Sequence, residues 1–363
     1  MSPKATVFEF TTYAFEPDKK KAVFTYKTHF SDNKEPLIWT ESILLPTVPD
    51  LKHIPKGLLD ALLESLHIIL GISYYKYYCP PDVKSPYSLS KQEADFWNIV
   101  YKKGLGEFFY KNNLDPNTSP KFPFGKTAKN TSYEVKKSGR SLVGIGGGKD
   151  SIVSAELLKE NGFDITAFHI ENTTITRPGL VDNVIEIMGV GDLKIQRTLD
   201  PKVHQKHPYN GHIPISAIYA FLGVFSAVLY NYQYVIVSNE HSSSFGNITY
   251  KGLEVNHQWS KSFEFEALFS DYVKNVITPN VTYFSLLRPL YEIRIVELFT
   301  KIGKKYFRSF SSCNRNFTMK EKQHGGLWCG RCAKCVFAFT LLSAFLPKKE
   351  LLGIFGKNLY EDE

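Results

Sequence analysis

The sequence predicts an α/β protein built on a doubly wound parallel sheet, with a smaller N-terminal α+β domain before it and a C-terminal four-cysteine metal element after it. Strand-like and helical stretches alternate from residue 141 to residue 287, which is typical of a parallel sheet with helices on both faces. The stretch before residue 126 mixes both patterns without that alternation. Four of the five cysteines follow residue 312.

Composition limits the classes of protein that fit. A chain of 363 residues has room for one large or two ordinary domains. Hydrophobic residues make up 43% and charged residues 22%, which excludes a disordered or fibrous chain. Lys and Arg number 44 against 36 Asp and Glu, giving a net charge of +8. This excess suits an anionic ligand, but the chain has no basic block of the kind found in nucleic-acid-binding arms.

The first part, residues 1–125, is predicted to be the α+β domain. Thr6–Thr12 and Ala22–Tyr26 have the composition of strands, whereas Pro55–Leu70 and Glu93–Tyr101 have the apolar spacing of helices. These two kinds of element follow one another without a repeating βα unit. The region therefore differs in class from the part that follows it.

A linker is predicted at Asp115–Ser138, which contains three prolines, a glycine and several Asn and Lys residues. It separates the α+β domain from the main α/β part at 138–310. The cysteine-containing element and a C-terminal helix, at 311–363, are expected to pack on that main part.

The main part is predicted from alternating patterns. The strands are Ser141–Ile145, Ile165–Ile170, Leu193–Leu199, Tyr234–Val237 and Phe284–Leu287, and the helices are Ser151–Glu160, Pro178–Met188, Pro214–Tyr230 and Ser262–Val276. Ligands of such sheets bind beyond the carboxyl ends of the strands. Three polar segments, Gly146–Ser151, His169–Glu171 and Ser238–Glu240, are therefore expected on one rim.

A glycine cluster follows the first of these strands and opens a helix, where backbone N–H groups bind anions well. A Walker A loop does not fit, because Asp150 follows Lys149 and the glycine spacing is one residue short. A Rossmann fingerprint fits less well than the third alternative, since Lys149 stands where its third glycine belongs, although Glu171 suits a ribose.

The third alternative is a resemblance to the PP-loop of N-type ATP pyrophosphatases, S-G-G-x-D-S. Gly147, Gly148, Asp150 and Ser151 match it, and Gly146 stands where that family usually has Ser. The resemblance implies a PP-loop (HUP-like) fold and cleavage of ATP between its α and β phosphates. With Gly146 in place of Ser, more of the pyrophosphate binding falls to backbone N–H groups.

The clustered cysteines indicate a metal site. Cys329, Cys332, Cys335 and Cys313 supply the four thiolates of a tetrahedral structural zinc site. An iron–sulfur cluster is the alternative. A similar arrangement in 7-cyano-7-deazaguanine synthases, which are PP-loop enzymes, favours zinc. The fifth cysteine, Cys79, is interpreted as a packing residue.

No membrane segment is predicted. Met1–Glu9 has no apolar core of a secretory signal. The most apolar stretches, Leu58–Leu70 and Cys335–Leu346, are shorter than a membrane span. A cytoplasmic location is therefore expected.

Several polar segments are too specific in composition for ordinary surface. They are Asn210–Pro214, Ser238–Glu240 and Glu254–Ser262. Together with the glycine loop, with Ser312–Arg315 and Trp328–Cys335, and with Leu66–Lys76 and Gly104–Phe108, they resemble the UDP-N-acetylmuramoyl-L-alanyl-L-glutamate epimerase (MurL) family. The similarity covers the chain from about Leu66 to Leu346.

This resemblance implies ATP-dependent inversion of the terminal L-Glu of UDP-MurNAc-L-Ala-L-Glu to D-Glu, with release of AMP and diphosphate, in peptidoglycan precursor synthesis. A free carboxylate opposes removal of the neighbouring α-proton, because a second negative charge would form beside the first. Adenylation removes that obstacle. The proton then leaves either from the adenylate or from an oxazolone formed by its cyclisation.

Roles for individual residues follow from the same resemblance. The ATP-binding residues are expected to be Gly146, Gly147, Gly148, Lys149, Asp150, Ser151, Phe168 and His169, with Mg2+ held in part by Asp150. The candidates for proton transfer are His212, Glu240, His257 and Lys261. Arg177, Arg288 and Arg294 are considered as anchors for substrate anions.

Two alternative functions share the loop and the cysteines: a PP-loop enzyme that thiolates tRNA, and a ligase of the deazaguanine-synthase kind. No basic appendage with stacking aromatics is found, so nucleic acid is not expected as a partner. The aromatic run Tyr74–Tyr78 contains Lys76 and is interpreted as core packing.

Overall fold

The computed structural model describes residues 4–32, 35–125, 128, 131–173, 179–317 and 326–361. The chain divides into two compact units, each assembled from separate segments. The first unit contains residues 1–138, 197–234 and 243–283, and the second contains 139–196, 235–242 and 284–363. The division into an N-terminal domain at 1–125, a main part at 138–310 and a cysteine-containing element at 311–363 stays a prediction.

The described residues form strands and helices with the following bounds. The strands are β1 Ala5–Glu16, β2 Lys21–Phe30, β3 Leu37–Leu44, β4 Asp82–Lys84, β5 Ser141–Gly144, β6 Ile165–Asn172, β7 Gly191–Thr198, β8 Tyr234–Val237, β9 Ile248–Tyr250, β10 Leu253–Val255 and β11 Thr282–Ser285. The helices are α1 Lys56–Tyr75, α2 Lys91–Gly104, α3 Gly106–Lys111, α4 Lys149–Glu160, α5 Leu180–Met188, α6 Ile215–Leu229, α7 Phe263–Tyr272, α8 Glu292–Ile302, α9 Ala333–Ser343 and α10 Lys348–Phe355.

The first unit contains strands in the order β3-β2-β1-β4. β1 and β3 pair antiparallel to β2, and β4 pairs parallel to β1. Phe8, Phe10 and Tyr26 alternate onto the buried face and pack with one another and with Tyr75 of α1. Aromatic rings of this size bury a large apolar area, so this layer forms the core of the predicted α+β part.

Helix α1 is the central helix of this unit and contacts β1, β2 and α6. It is the one helix among the described residues that is long and apolar enough to cross a membrane by length and composition. In the structure, 72% of its most apolar 18-residue window is buried. A buried core helix meets the same criteria, so they do not establish a membrane span.

The second unit contains strands in the order β11-β8-β5-β6-β7. β5 and β6 are parallel, with Ser141 opposite Ile165 and Gly144 opposite Phe168. Helices α4, α5, α8, α9 and α10 lie in this unit, and α8 packs against α4 and α9. The predicted α/β fold with a parallel sheet and a C-terminal cysteine cluster is confirmed.

Most predicted elements of the α/β part are present, with shifted ends. The helix predicted at Ser262–Val276 is α7, which ends at Tyr272 and continues as a π-helical turn, Val273–Ile277. The predicted start of α5, Pro178, lies outside the described residues. β3, the β9–β10 hairpin and α8 were not predicted.

Candidate active site

The glycine loop, Gly146–Gly148, joins β5 to α4. Its backbone conformation and close neighbours explain why glycines occupy positions 147 and 148. Gly147 has a φ of +81°, and a Cβ there would lie 2.7 Å from Leu180 Cδ2. A Cβ on Gly148 would lie 3.0 Å from Ser312 Oγ, whereas one on Gly146 would meet nothing within 4 Å. The left-handed backbone of Gly147 therefore favours glycine, and a side chain there would also require Leu180 to move.

The loop leaves the first amides of α4 available to an anion. Gly148 is the N-cap residue and makes no side-chain cap hydrogen bond. Ser151 Oγ donates to Gly148 O at 3.0 Å, and Ser311 N donates to Gly147 O at 3.0 Å. Uncapped N–H groups and the positive end of a 12-residue helix fit a phosphate group. This geometry agrees with the predicted ATP loop.

Lys149 lies at the centre of an ion-pair cluster. Its side chain is 8% exposed, and Nζ lies 2.7 Å from Asp150 Oδ1 and 2.5 Å from Glu292 Oε1. Burial alone lowers the pKa of Lys149, but the two carboxylates outweigh it and the pKa is raised. The ammonium therefore stays charged at neutral pH, beside the loop that would receive phosphates.

Glu292 is a functional candidate that sequence reasoning missed. It is the first residue of α8. Burial and the charges of Asp150 and Glu240 raise its pKa, while Lys149 opposes them. Glu240, predicted for proton transfer, thus belongs to this acidic group around the loop. The main-chain oxygen of Glu240 accepts a hydrogen bond of 2.9 Å from Arg288 Nη1.

The two residues predicted near the adenosine lie in the middle of β6, where Phe168 is opposite Gly144, the last residue of β5. Phe168 is buried, and its carbonyl accepts from Ile145 N at 2.8 Å. His169 Nε2 lies 3.1 Å from Asp192 Oδ1 and 3.7 Å from Asp182 Oδ1. These three side chains have the geometry of a cation site, but Asp182 already pairs with Lys194 at 2.6 Å.

The other three residues predicted for proton transfer, His212, His257 and Lys261, lie close together in the first unit. His212 is exposed to solvent, as a base that contacts a substrate must be. Partial desolvation of the ring by the surrounding protein is the largest effect and lowers the pKa of His212. His257, Lys76 and Lys261 lower it further, and Glu107 opposes them. The imidazole of His212 is therefore neutral near pH 7.

His257 is held by the polar segment that contains it. Asn256 is buried, and its Nδ2 donates to Ser243 O at 2.9 Å. Its Oδ1 accepts from Gln258 N at 2.8 Å. Ser243 Oγ also donates to Lys261 O at 3.1 Å. These bonds fix the backbone on both sides of His257 and explain why the segment is polar and yet half-buried.

Arg294 pairs with Glu297 on the surface of α8, and Arg177 lies outside the described residues. Arg288 is the one described member of the predicted arginine set that contacts the acidic group around the loop.

The four clustered cysteines form a site that fits zinc. Their Sγ atoms all lie within 4.8 Å of one another. The three separations that the structure gives are 3.9 Å for Cys313 and Cys332, 3.8 Å for Cys329 and Cys335, and 3.5 Å for Cys332 and Cys335. Four sulfurs at 2.3 Å from a tetrahedral zinc lie about 3.8 Å apart. All four are free of disulfides.

Local hydrogen bonds favour a thiolate in this cluster. Burial raises the pKa of the Cys329 thiol, but hydrogen bonds from the backbone amides of Arg331 and Cys332 and with the thiols of Cys313 and Cys332 together outweigh it and bring the pKa to about 7. A thiolate is the form that binds metal. Cys79, four residues after the end of α1, lies outside the cluster, and burial raises its pKa to about 12.

Two family models together cover most of the chain. The MurL N-terminal domain matches residues 1–286, and the MurL C-terminal domain matches residues 309–363. Two solved structures also show similarity, a predicted tRNA methyltransferase subunit from Methanocaldococcus jannaschii and NMN synthetase from Francisella tularensis. Their identities are 18% and 14%, over 45% and 60% of this chain and 76% and 82% of theirs. Their TM-scores of 0.28 and 0.27 are too low to support an argument.

Three curated relatives carry the name UDP-N-acetyl-alpha-D-muramoyl-L-alanyl-L-glutamate epimerase. The relative from Xanthomonas oryzae is 39% identical over 83% of this chain and 66% of its own length. Those from Micromonospora and Salinispora tropica are 34% and 33% identical over 98% of this chain and 78% and 77% of theirs. The chain thus spans slightly less than two thirds of the first relative and somewhat more of the others. By family match and by identity, this chain belongs to the MurL family.

Proposed function

We propose that this chain inverts the terminal L-Glu of UDP-MurNAc-L-Ala-L-Glu to D-Glu at the expense of ATP. The observation that carries the proposal is the glycine loop with its Lys149, Asp150 and Glu292 cluster, in a chain whose relatives are named for this epimerisation. An epimerase that needed only an acid and a base would have no use for a phosphate-binding loop.

ATP makes this inversion chemically feasible because it converts the carboxylate of the substrate into an acyl adenylate. The α-proton of glutamate lies beside a carboxylate, and removing it would place two negative charges on adjacent atoms. An acyl adenylate has no such charge, and its carbonyl delocalises the electron pair left by the proton. The substrate therefore becomes acidic enough for a side-chain base.

The reaction balances in three steps. A carboxylate oxygen of the substrate attacks the α-phosphorus of ATP, and diphosphate leaves with the electron pair of the broken P–O bond. A base removes the α-proton, and an acid returns a proton to the opposite face. Water then attacks the acyl carbon and releases AMP and the D-glutamyl product. One ATP and one water are consumed for each inversion.

Residues of the second unit are assigned to ATP. The backbone N–H groups of Gly146, Gly147 and Gly148 and the hydroxyl of Ser151 bind the diphosphate portion, and Lys149 neutralises its charge. Phe168 and His169 are assigned to the adenosine. Asp150 would hold Mg2+, which would supply further charge neutralisation for the departing diphosphate when bound.

Residues of the first unit are assigned to proton transfer. His212 is neutral near pH 7 and accessible, so it suits the role of base. His257 and Lys261 are the candidates for the acid that protonates the other face. Glu240 remains a fourth candidate, although its surroundings group it with the ATP loop.

The cysteine cluster is assigned a structural zinc, because four thiolates leave no open coordination position for substrate. The substrate is a nucleotide-linked peptide, and ATP is the second substrate. Both are metabolites of the cytoplasm, which is the location proposed for the enzyme. Neither nucleic acid nor a membrane is needed in this reaction.

The deciding experiment follows two products in one reaction. Purified protein is incubated with ATP, Mg2+ and UDP-MurNAc-L-Ala-L-Glu in D2O, and diphosphate, AMP and the chirality of glutamate are measured. We expect substrate-dependent AMP and diphosphate, D-Glu, and one deuterium at the α-carbon. Diphosphate without inversion would reject the substrate and point to tRNA or an amine acceptor. Inversion without AMP would reject adenylation.

The oxazolone route makes a separate prediction. If the activated carboxyl cyclises onto the alanyl carbonyl, then replacing the Ala–Glu amide by an ester removes the nitrogen that completes the ring. Turnover of the ester analogue would be abolished, with diphosphate release retained. Unchanged inversion of the ester would show that the proton leaves directly from the adenylate.

A further inference from the structure

Lys76 is a buried lysine whose neighbours in the chain are buried tyrosines. It follows the last residue of α1 and is 7% exposed, next to Tyr74, Tyr75 and Tyr77, which are buried almost completely. The interpretation of this run as core packing is thereby confirmed for the three tyrosines. An ammonium is costly to bury, and a methionine of similar length would fill the same space without that cost. The partners of the ammonium therefore indicate its role.

The ammonium binds the main chain just before the predicted base. Lys76 Nζ donates to Gly211 O at 2.9 Å and to Asn210 Oδ1 at 3.5 Å. The same Asn210 Oδ1 accepts from Gly211 N at 2.8 Å. The side chain of Lys76 thus holds both residues that precede His212.

A second side chain holds the same segment from another element. Asn112 follows α3, and its Nδ2 donates to Asn210 O at 3.1 Å and to Phe108 O at 2.9 Å. A Cβ on Gly211 would lie 3.1 Å from Phe108 Cδ2, so this close approach favours glycine. All of these residues belong to the first unit.

We propose that Lys76 and Asn112 are positioning residues that fix the Asn210–Gly211 main chain and thereby aim the imidazole of His212. The inference rests on the proposed function, in which His212 transfers a proton. Neither positioning residue has to touch the substrate. Displacing a proton-transfer group by about 1 Å lowers the reaction rate on the order of a hundredfold. A rigid support for His212 can therefore offset the free-energy cost of burying the Lys76 ammonium.

Lys76 has a second, electrostatic effect on His212. The charged and titratable groups that act on this imidazole are Glu107, His257, Lys76 and Lys261. The positive charge of Lys76 disfavours the imidazolium and so lowers the pKa of His212, whereas Asn112 carries no charge. Substitutions of Lys76 and of Asn112 therefore distinguish the mechanical support of His212 from the electrostatic effect on its pKa.

The first measurement needs neither substrate nor activity. The titration of His212 is followed by NMR of histidine-labelled protein, with its signal assigned by its loss in His212→Gln. We expect Lys76→Met to raise the pKa of His212 and Lys76→Arg to leave it near the wild-type value. Asn112→Ala is expected to broaden or shift the His212 signal without raising the pKa. Lys91→Met, at an exposed lysine of α2, is the matched control.

The second measurement is epimerisation. We expect kcat to fall about tenfold to a hundredfold in Lys76→Met and in Asn112→Ala, with KM within about twofold of wild type, and Lys76→Arg to recover part of the loss. A folded Lys76→Met protein with unchanged His212 titration and unchanged kcat would overturn the inference. So would a change confined to KM. Asn112→Ala and Lys76→Arg keep the test decisive if Lys76→Met does not fold.

Failure of the inference and failure of the proposed function are distinguishable. A wild-type protein without epimerase activity rejects the proposed function, while the NMR measurement still tests whether Lys76 and Asn112 support His212. If the wild-type protein is active and the His212 signal is the same in the Lys76 and Asn112 variants, the inference is rejected and the proposed function is retained.

Discussion

Gly147 combines a left-handed backbone with a close neighbour, Leu180, whose Cδ2 lies 2.7 Å from the position of a Cβ and would have to shift to admit a methyl group. We expect Gly147→Ala to lower the free energy of unfolding by about 1–3 kcal/mol, from backbone strain and overpacking. Gly146→Ala is the matched control for stability, because a Cβ there meets nothing within 4 Å. Chemical denaturation of both variants measures the difference. Equal loss in both would show that the loop rearranges to accept a side chain.

Glu292 holds Lys149 together with Asp150, and we expect Glu292→Gln to reduce substrate-dependent diphosphate release about tenfold or more, since Lys149 would lose one of the carboxylates that orient it. Glu297→Gln is the matched control on the same helix, because Glu297 pairs only with surface residues among its described ion-pair partners. Diphosphate release under saturating ATP checks the expectation. Equal rates in the two variants would remove Glu292 from the ATP site.

For single residues, the sequence predicts those features that depend on neighbours close in the chain. Three glycines followed by Lys-Asp-Ser lie between a predicted strand and a predicted helix, so the position of Gly147 and Asp150 in a strand-to-helix loop could be predicted from the order of the residues alone. Glu292 could not, because it lies 143 positions from Lys149 and only folding brings the two charges together. Asn112, which holds the segment before His212, was missed for the same reason.

The cysteine cluster is proposed to hold a structural zinc, and we expect the stability of this element to depend on that metal. We expect about one zinc per chain, and loss of that zinc in Cys335→Ser, because Cys335 is fully buried among the other three sulfurs. Structural zinc contributes on the order of 10 kcal/mol to small sites, so a strong chelator or this substitution should lower the unfolding temperature. Cys79→Ser is the control and should keep its metal.

Metal content and thermal unfolding of the two serine variants check this prediction. Full zinc in Cys335→Ser would contradict the assignment of this ligand. Iron and sulfide in place of zinc would keep the site and change its identity to an iron–sulfur cluster.

Helix α1 carries a half-buried acid whose titration affects stability. Burial, and then the charges of Asp60 and Glu93, raise the pKa of Glu64 to about 7. The folded state therefore keeps a proton that the unfolded chain releases above its ordinary pKa, so stability falls as the pH rises from about 4.5 to about 7. We expect Glu64→Gln to be more stable than wild type at pH 8 and equal to it at pH 4.

Thermal unfolding at both pH values measures this effect, with Glu16→Gln at the exposed end of β1 as a control. A stabilisation that is the same at pH 4 and pH 8 would show that the substitution acts through packing and not through the proton.

Helices and strands were predicted correctly where the pattern of apolar residues in the sequence matches the residues that are buried in the structure. β5 and α4 were predicted at Ser141–Ile145 and Ser151–Glu160, and the helix begins two residues earlier because Gly148 is its N-cap. β3 was missed because Glu41 occupies a core position of its alternating pattern. Glu41 is completely buried and pairs at 2.5 Å with Arg197, which lies 156 positions away. Sequence alone gives no reason to place a carboxylate in a core.

At the scale of the whole molecule, the residues assigned to ATP belong to one compact unit, and His212, His257 and Lys261 belong to the other. Each unit is assembled from segments that are distant in the chain, so the grouping could not be predicted from the order of the residues. The proposed chemistry also divides into two parts, adenylation and proton transfer. Substitutions in the two units should therefore have different effects on the two parts.

We expect Asp150→Asn to abolish substrate-dependent diphosphate release and inversion together, because no α-proton becomes acidic before the carboxylate is adenylated. His212→Gln should retain diphosphate release, since its adenylate still forms and is hydrolysed by water, and should lose about 10²–10⁴-fold in α-deuterium incorporation. Parallel assays of diphosphate and deuterium in D2O measure the two steps in each variant. Equal loss of both signals in His212→Gln would mean that His212 serves adenylation or substrate binding, and the base would then be sought at His257 or Lys261.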